Sequence, residues 1–150
     1  MWDILIIVLK LVLAIILGGI IGLERESLGK PAGTRTYALV ALGSTLFTIM
    51  SISGFGNAST IDPTRIAGQI VVGIGFLGAG LIIFQKQHLE GMTTAAALWA
   101  TAAVGMAIGI GWYIVACAAA LLIFLLCFIV RKIEFSRSKK NTLWTLFDKR

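Results

Sequence analysis

Charged side chains that could form buried ion pairs or bind a partner are concentrated in one short segment of this chain. The segment GLERESLGKPAGTRT, Gly22–Thr36, contains Glu24, Arg25, Glu26 and Arg35. An arginine binds a carboxylate through two parallel hydrogen bonds, so a bridge from Arg35 to Glu24 or Glu26 would hold two helix ends together. A structural clamp is the first interpretation, and docking of another protein is the alternative.

A second polar group lies in the sequence DPTRIAGQ, which begins at Asp62. Asp62 suits the N-cap of a helix, and Pro63 suits the first helical position. Arg65 and Gln69 follow at steps of three and four, on the same helix face. The pattern predicts a cap and a polar clamp, with an external gate or a partner-binding patch as the alternative.

Residues for catalysis or metal binding are sparse. Cys117 and Cys127 fall in one apolar segment without metal-ligand spacing, and His88 stands alone in a polar connection. We find no Ser/His/Asp set and no phosphate-binding loop. The sequence therefore predicts a protein that is not an enzyme and has no cofactor, no metal site and no nucleic-acid partner.

The composition indicates which solvent surrounds these residues. Of 150 residues, 58% are hydrophobic and 13% are charged, too few ions to cover a water-facing surface. Five apolar windows approach the length that a helix needs to cross a bilayer. We expect an all-α bundle of five transmembrane helices at about 4–23, 36–53, 66–84, 93–110 and 112–130, followed by a basic tail at 131–150.

Lysine and arginine predict the orientation of this bundle, because short cytoplasmic loops carry the excess of positive charge. With the N-terminus outside, Arg65 alone falls on the outer side. The inner side receives Arg25, Lys30, Arg35, Lys86, Arg131, Lys132, Arg137, Lys139, Lys140, Lys149 and Arg150. We therefore expect the C-terminus and the Gly22–Thr36 segment on the cytoplasmic side.

Small residues at four-residue spacing predict close helix contacts, since membrane helices associate through such residues. They occur in the first, third and fourth helices, at Ala14, Gly18 and Gly22, at Gly75 and Ala79, and at Thr93, Ala97, Thr101, Gly105 and Gly109. Packing alone explains them. The alternative is a break in the third helix among Gly73, Gly75, Gly78 and Gly80, as in transporters with discontinuous helices.

Lys10 is the single ion inside the first window, about two turns from its outer boundary at roughly 1.5 Å per residue. We expect its side chain to extend toward the outer interface.

Four blocks of the sequence resemble the membrane domain of the MgtC/SapB family. They are GGIIGLERE, KPAGTRTYALVALGSTLF, DPTRIAGQIVVGIGFLGAGLI and GMTTAAALWATAAVGMAIGIGWY, and they cover most of residues 18 to 113. The resemblance implies a multi-pass protein of the bacterial cytoplasmic (inner) membrane. It also implies a role in adaptation to low magnesium and in virulence. Family members are proposed to bind the membrane sector of the F-type ATP synthase.

The resemblance also implies which residues matter. The family pattern falls on Glu24, Arg25, Glu26, Ala32, Gly33, Arg35, Thr36, Gly43, Ser44, Asp62, Pro63, Arg65, Gln69, Gly73, Gly75, Phe76, Gly78, Gly80, Thr93, Thr94, Trp99 and Gly105. The functional candidates among them are Glu24, Arg25, Glu26, Arg35, Thr36, Asp62, Arg65, Gln69, Gly75, Gly78, Thr93, Thr94 and Trp99. Many members continue into a soluble ACT-like domain, where this sequence has only its basic tail. We expect that tail to form a short surface helix or to be disordered.

Two functions stay open at this level. The first is a regulatory or interaction protein that binds another membrane protein, with a homo-oligomer also expected from the glycine faces. The second is a small ion or solute transporter or channel, including one for Mg²⁺. Magnesium prefers carboxylate and other oxygen ligands, and the apolar windows contain no Asp or Glu. We therefore favour the regulatory function.

Overall fold

The fold is given by a computed structural model that describes residues 2–53, 62, 64–85 and 88–129. Within these ranges the chain forms α1 Trp2–Glu26, α2 Thr34–Ser53, α3 Thr64–Leu81, α4 Met92–Gly109 and α5 Tyr113–Ile129. A short antiparallel hairpin, β1 Ile83–Gln85 and β2 His88–Glu90, joins α3 to α4. The predicted bundle of five helices is confirmed. The hairpin was not predicted: α3 ends at Leu81, and Ile83 and Phe84, which the sequence analysis placed at the end of the third helix, belong to β1.

The helices have the length and composition of membrane spans. Helices α1 to α4 are long and apolar enough to cross a bilayer, and α5 is a shorter apolar helix within the described residues. The predicted tail at 131–150 lies outside the described residues. The N-out orientation stays a prediction.

Contacts between distant residues define the two ends of the bundle. At one end, which we call the hairpin end, Arg25 of α1 meets Thr94 of α4. At the other end, Lys10 of α1 meets Gly109 of α4. Helices α1 and α4 therefore run in opposite directions, as expected when short connections join successive spans.

Helix α4 is the central element of the fold. In its most apolar window 56% of the residues are buried, compared with 17% in α1 and 11% in α3. Its buried residues include Leu98, Val104 and Ile108, and they join a core with Tyr37 of α2. Because α4 packs against α1, α2 and α3, its position decides where the polar residues of those helices meet.

Glycines of α1 and α4 allow the backbones to approach closely. A Cβ atom added to Gly18 would lie 2.6 Å from the Tyr37 carbonyl oxygen of α2. One added to Gly105 would collide with the Ala41 carbonyl oxygen and lie 2.9 Å from Ser44 Cβ. The small-residue spacing in α1 and α4 therefore marks true contact faces, as expected.

Helix α3 differs from the other spans. It is a continuous α-helix from Thr64 to Leu81, so the break among its glycines that the sequence allowed is not present. A Cβ atom would meet nothing within 4 Å at Gly68, Gly73, Gly75 and Gly80. Only Gly78 approaches a neighbouring helix, with its added Cβ 3.6 Å from Ala95 Cβ. Most of the α3 surface is therefore not covered by the other described helices.

Candidate functional site

Four residues from three helices form a buried polar cluster at the hairpin end. Glu24 and Arg25 are 6% and 3% exposed, although they follow an apolar run. The Arg25 guanidinium donates through Nη2 to Thr94 Oγ1 at 2.9 Å, and its Nη1 lies 3.8 Å from Glu24 Oε2. The Tyr37 hydroxyl donates to the Thr94 backbone oxygen at 3.0 Å. Thr94 therefore connects α4 to both α1 and α2.

The cluster is incompletely satisfied. Both carboxylate oxygens of Glu24 and the Nε of Arg25 are buried without a hydrogen-bond partner. Buried charges usually have partners, because removing an ion from water costs several kcal/mol. Buried groups with unused hydrogen-bonding capacity are therefore candidates for contact with a ligand or a partner residue.

The turn after α1 fixes the backbone beside this cluster. Gly29 has a φ of +62°, a left-handed conformation that glycine adopts without strain. The Lys30 N–H donates to the Arg25 carbonyl oxygen at 3.2 Å, and the Gly29 N–H donates to the Glu26 carbonyl oxygen at 2.9 Å. These two bonds form a Schellman motif, which ends α1 and returns Lys30 toward Arg25.

Glu26 forms the clamp between α1 and α2. Its Oε2 accepts the backbone N–H of Thr34, the first residue of α2, at 2.9 Å. A carboxylate at a helix N-terminus satisfies a free donor and interacts favourably with the helix dipole. Gly33 leaves room for it, since an added Cβ would lie 2.8 Å from that oxygen.

The expected bridge from Arg35 to Glu24 or Glu26 is absent among the described residues. Arg35 is exposed on the first turn of α2, whereas Glu24 is buried beside Arg25 and the Glu26 carboxylate binds the α2 backbone. Thr36 is also exposed and lines a groove of about 670 Å³ between α2 and α3. The segment is therefore divided into a buried cluster, a clamp and an exposed edge.

Asp62 begins α3 as a hydrogen-bonded cap. Its Oδ1 accepts the Thr64 hydroxyl at 2.7 Å and the Thr64 N–H at 2.8 Å. These bonds hold the pKa of the Asp62 carboxyl below its ordinary value. Arg65 and Gln69 are exposed, and Gln69 lines the α2–α3 groove. No ion pair joins Arg65 to Asp62 in the part of the chain described here.

Four further candidates make no hydrogen bond to the cluster among the described residues. Gly75 faces open space on α3, and Gly78 packs against Ala95. Thr93 is exposed at the start of α4, and Trp99 is 50% exposed further along the same helix. The structure therefore brings together Glu24, Arg25 and Thr94 in the cluster, with Thr93 in the wall of a cavity that Arg25 also lines and Glu26 in the neighbouring clamp.

Two contributors were missed by the sequence reasoning. Tyr37 completes the cluster and Thr34 completes the clamp. A hydroxyl or an N–H group at the start of a span needs a hydrogen-bond partner, and this was a signal for both residues.

Lys10 contacts the last residue of α4, at the other end of the bundle, and the expectation that its side chain extends toward the outer interface stays a prediction. Its Nζ donates to the Gly109 carbonyl oxygen at 2.8 Å and lies 5.9 Å from the centre of the Tyr113 ring.

Comparison with known sequences identifies the family. The profile of the MgtC family matches residues 11–136, which include the cluster, the clamp and the α3 cap. This chain belongs to the MgtC family. It is a multi-pass membrane protein, and its relatives are bacterial, which places it in the bacterial cytoplasmic membrane.

Individual relatives of this MgtC-family chain cover different shares of it. The "Putative magnesium transporter YhiD" of Escherichia coli K12 is 42% identical over 139 residues, which are 89% of this chain and 65% of that protein. "Protein MgtC" of Brucella abortus (strain 2308) is 49% identical over 98 residues, 65% of this chain and 40% of that protein. "Protein MgtC" of Salmonella typhimurium (strain 14028s) is 44% identical over 116 residues, 77% of this chain and 48% of that protein.

The chain therefore spans less than two thirds of the length of these relatives. No solved structure matches it.

Proposed function

We propose that this MgtC-family protein is a regulatory membrane protein that binds another membrane protein through α3 during adaptation to low magnesium and virulence-type stress. The observation that carries the proposal is the exposure of α3, the least buried of the spanning helices. The docking surface, which we call the α3 face, consists of Gly68, Val72, Gly75, Phe76 and Ala79.

The α3 face has the chemistry of a helix contact within a bilayer. Its residues are spaced by three and four positions, so they form one stripe along the helix. Gly68 and Gly75 have open space beside them, and Val72 and Phe76 are 67% and 81% exposed. Glycine allows close backbone approach, and the two large side chains supply contact area on either side. A partner helix with small residues fits this surface.

The position of the buried cluster is consistent with docking on the α3 face. Glu24 and Arg25 lie inside the bundle, so charge does not cover the α3 face. The family resemblance suggests the membrane sector of the F-type ATP synthase as the partner, and a second copy of the chain is the competing occupant.

The test is a crosslinked pull-down from native membranes under magnesium limitation, with an Ala79→Leu variant compared with the wild type. Ala118→Leu is the matched control, because Ala118 is also an exposed alanine, on α5. We expect Ala79→Leu to lose the partner and Ala118→Leu to keep it, with both proteins inserted at wild-type levels. Retention of the partner by Ala79→Leu would contradict docking on α3. Recovery of ATP synthase subunits identifies that partner, and recovery of its own copies alone contradicts the regulatory role.

A transport function is the second candidate, favoured by the buried carboxylate of Glu24, which is paired with Arg25 but accepts no hydrogen bond among the described residues, and by the name of the Escherichia coli relative. Magnesium binds through carboxylate oxygens and retained waters. The experiment is Mg²⁺ flux into liposomes containing the purified chain, with Glu24→Gln compared with Glu26→Gln. Flux that is lost only in Glu24→Gln would support transport, and an absence of flux in the wild type would exclude it.

A further inference from the structure

A second cavity lies at the hairpin end, between the end of α1, α4 and α5. It has a volume of about 530 Å³, and we call it the Arg25 cavity. Its polar lining consists of Arg25, Lys30 and Thr93, and its apolar lining includes Ala100, Ile123 and Leu126. Glu24 does not line it, so its described wall contains two cations and no acidic side chain, although the Glu24 carboxylate 3.8 Å from Arg25 Nη1 offsets part of the charge of that cation.

Arg25 has hydrogen-bonding capacity left for a ligand. The side chain is buried, its Nη2 is bound to Thr94, its Nη1 lies 3.8 Å from Glu24 Oε2, and its Nε has no hydrogen-bond partner among the described residues. A guanidinium N–H forms a strong, charge-assisted hydrogen bond with a phosphate oxygen. The Arg25 donor that is still free therefore suits an anionic oxygen group better than an apolar one.

Two further features add positive potential to the same cavity. The Schellman motif after α1 returns the exposed Lys30 toward Arg25. Thr93 belongs to the first turn of α4, where no side chain caps the helix and no acidic residue is present. The free N–H groups and the dipole at such an end favour an anion.

We propose that the Arg25 cavity binds a phosphate group, with Arg25, Lys30 and the first turn of α4 around the phosphate. The apolar part of the cavity, along Ala100 and Ile123, is where the acyl chain of an anionic phospholipid would lie. Basic pockets between membrane helices bind anionic headgroups in this way. This site is separate from the α3 face and does not depend on the proposed docking.

Native mass spectrometry of the full chain tests the lipid source of the phosphate. The protein is released from vesicles of equal phosphatidylglycerol and phosphatidylcholine, and the retained lipid is counted. We expect phosphatidylglycerol to be retained in preference. Ala100→Leu narrows the cavity and should lower the retention of phosphatidylglycerol by about tenfold. Lys30→Gln removes a cation, leaves the Arg25–Thr94 bond intact and should also lower this retention. Ala103→Leu, at an exposed position of the same helix, is the control and should retain the lipid.

A second measurement separates a lipid from a soluble phosphate. Glycerol 3-phosphate is added to the detergent-solubilised protein, and the unfolding temperature is recorded. A rise that is lost in Lys30→Gln, without any preference for phosphatidylglycerol, assigns the site to a soluble phosphate and excludes the lipid. If the wild type shows neither preference nor rise, or if both persist unchanged in Ala100→Leu and Lys30→Gln, the phosphate site is overturned.

Discussion

Replacing Thr94 with valine would remove the hydroxyl that accepts a hydrogen bond from Arg25 while keeping the shape of the side chain. That bond is 2.9 Å long, and Thr94 and Arg25 are 1% and 3% exposed. The Thr94 hydroxyl is therefore almost completely shielded from solvent. The Tyr37 hydroxyl donates to the backbone of Thr94, so its bond is not removed by the substitution.

The size of the loss depends on the charge of the donor. Polar contacts between membrane helices contribute about 0.6 kcal/mol on average. Hydrogen bonds to charged groups contribute about 2 kcal/mol, and Arg25 already has an unpartnered Nε. We expect Thr94→Val to lower the free energy of unfolding by about 2 kcal/mol, which reduces the folded-to-unfolded ratio about thirtyfold.

The assay is unfolding of the purified chain in mixed micelles with an increasing fraction of sodium dodecyl sulfate, followed by circular dichroism. Thr94→Ser keeps the hydroxyl and should recover most of the stability. Thr101→Val is the matched control, since Thr101 is equally buried but donates to Ala97 within its own helix. It should cost less than about 0.5 kcal/mol, because this bond joins no second helix.

Equal stabilities of Thr94→Val and Thr101→Val would refute the reasoning. That result would mean that the Arg25 bond contributes no more than an intrahelical hydroxyl bond. The cluster would then be a passive consequence of packing.

Three further tests use other substitutions. Gly105→Ala should cost about 1–3 kcal/mol in the same assay, because its Cβ would collide with the α2 backbone, whereas Gly73→Ala has open space and should be neutral or stabilising. An equal loss of unfolding free energy in Gly105→Ala and Gly73→Ala would contradict the close packing of α4 against α2. Lys10→Met should lower the unfolding temperature by removing the bond to a carbonyl oxygen of α4, at a cost of about 1 kcal/mol, and an unchanged temperature would contradict that contact. The pKa of Asp62 is lowered in the folded chain, so ionised Asp62 stabilises the fold. This stabilisation is fully present above the ordinary carboxyl pKa and is lost as pH falls through the pKa of the folded state. In the wild type, the NMR chemical shift of the Thr64 amide should change with pH as Asp62 is protonated, and in Asp62→Asn it should not. Identical pH curves of this chemical shift in the two proteins would contradict the cap.

The sequence predicted the fold well because the bilayer imposes simple requirements. Apolar length alone identified the helices, and small-residue spacing identified the contact faces of α1 and α4. The same spacing failed for α3, where Gly75 faces open space. Spacing shows that a helix could pack closely, but it does not show whether the chain itself supplies the neighbour.

The candidate site was less predictable, because its bonds join residues that are far apart in sequence. Arg25 and Thr94 are 69 positions apart, and their contact depends on the rotation of two helices about their axes. The clamp was expected between side chains, yet Glu26 binds the backbone N–H of Thr34, a donor that every residue type carries. The sequence therefore indicated which charged residues form the site, but it did not indicate which atoms they bind.

The two contacts between α1 and α4 have a consequence for how the protein is made. Helix α1 is synthesised first, but Arg25 meets its acceptor 69 residues later and Lys10 meets its own 99 residues later. Until α4 is made, Arg25 has Glu24 of its own helix as a partner, whereas the carbonyl acceptor of Lys10 does not yet exist. A chain truncated before Met92 would therefore lack the acceptors of both cations, Thr94 and Gly109.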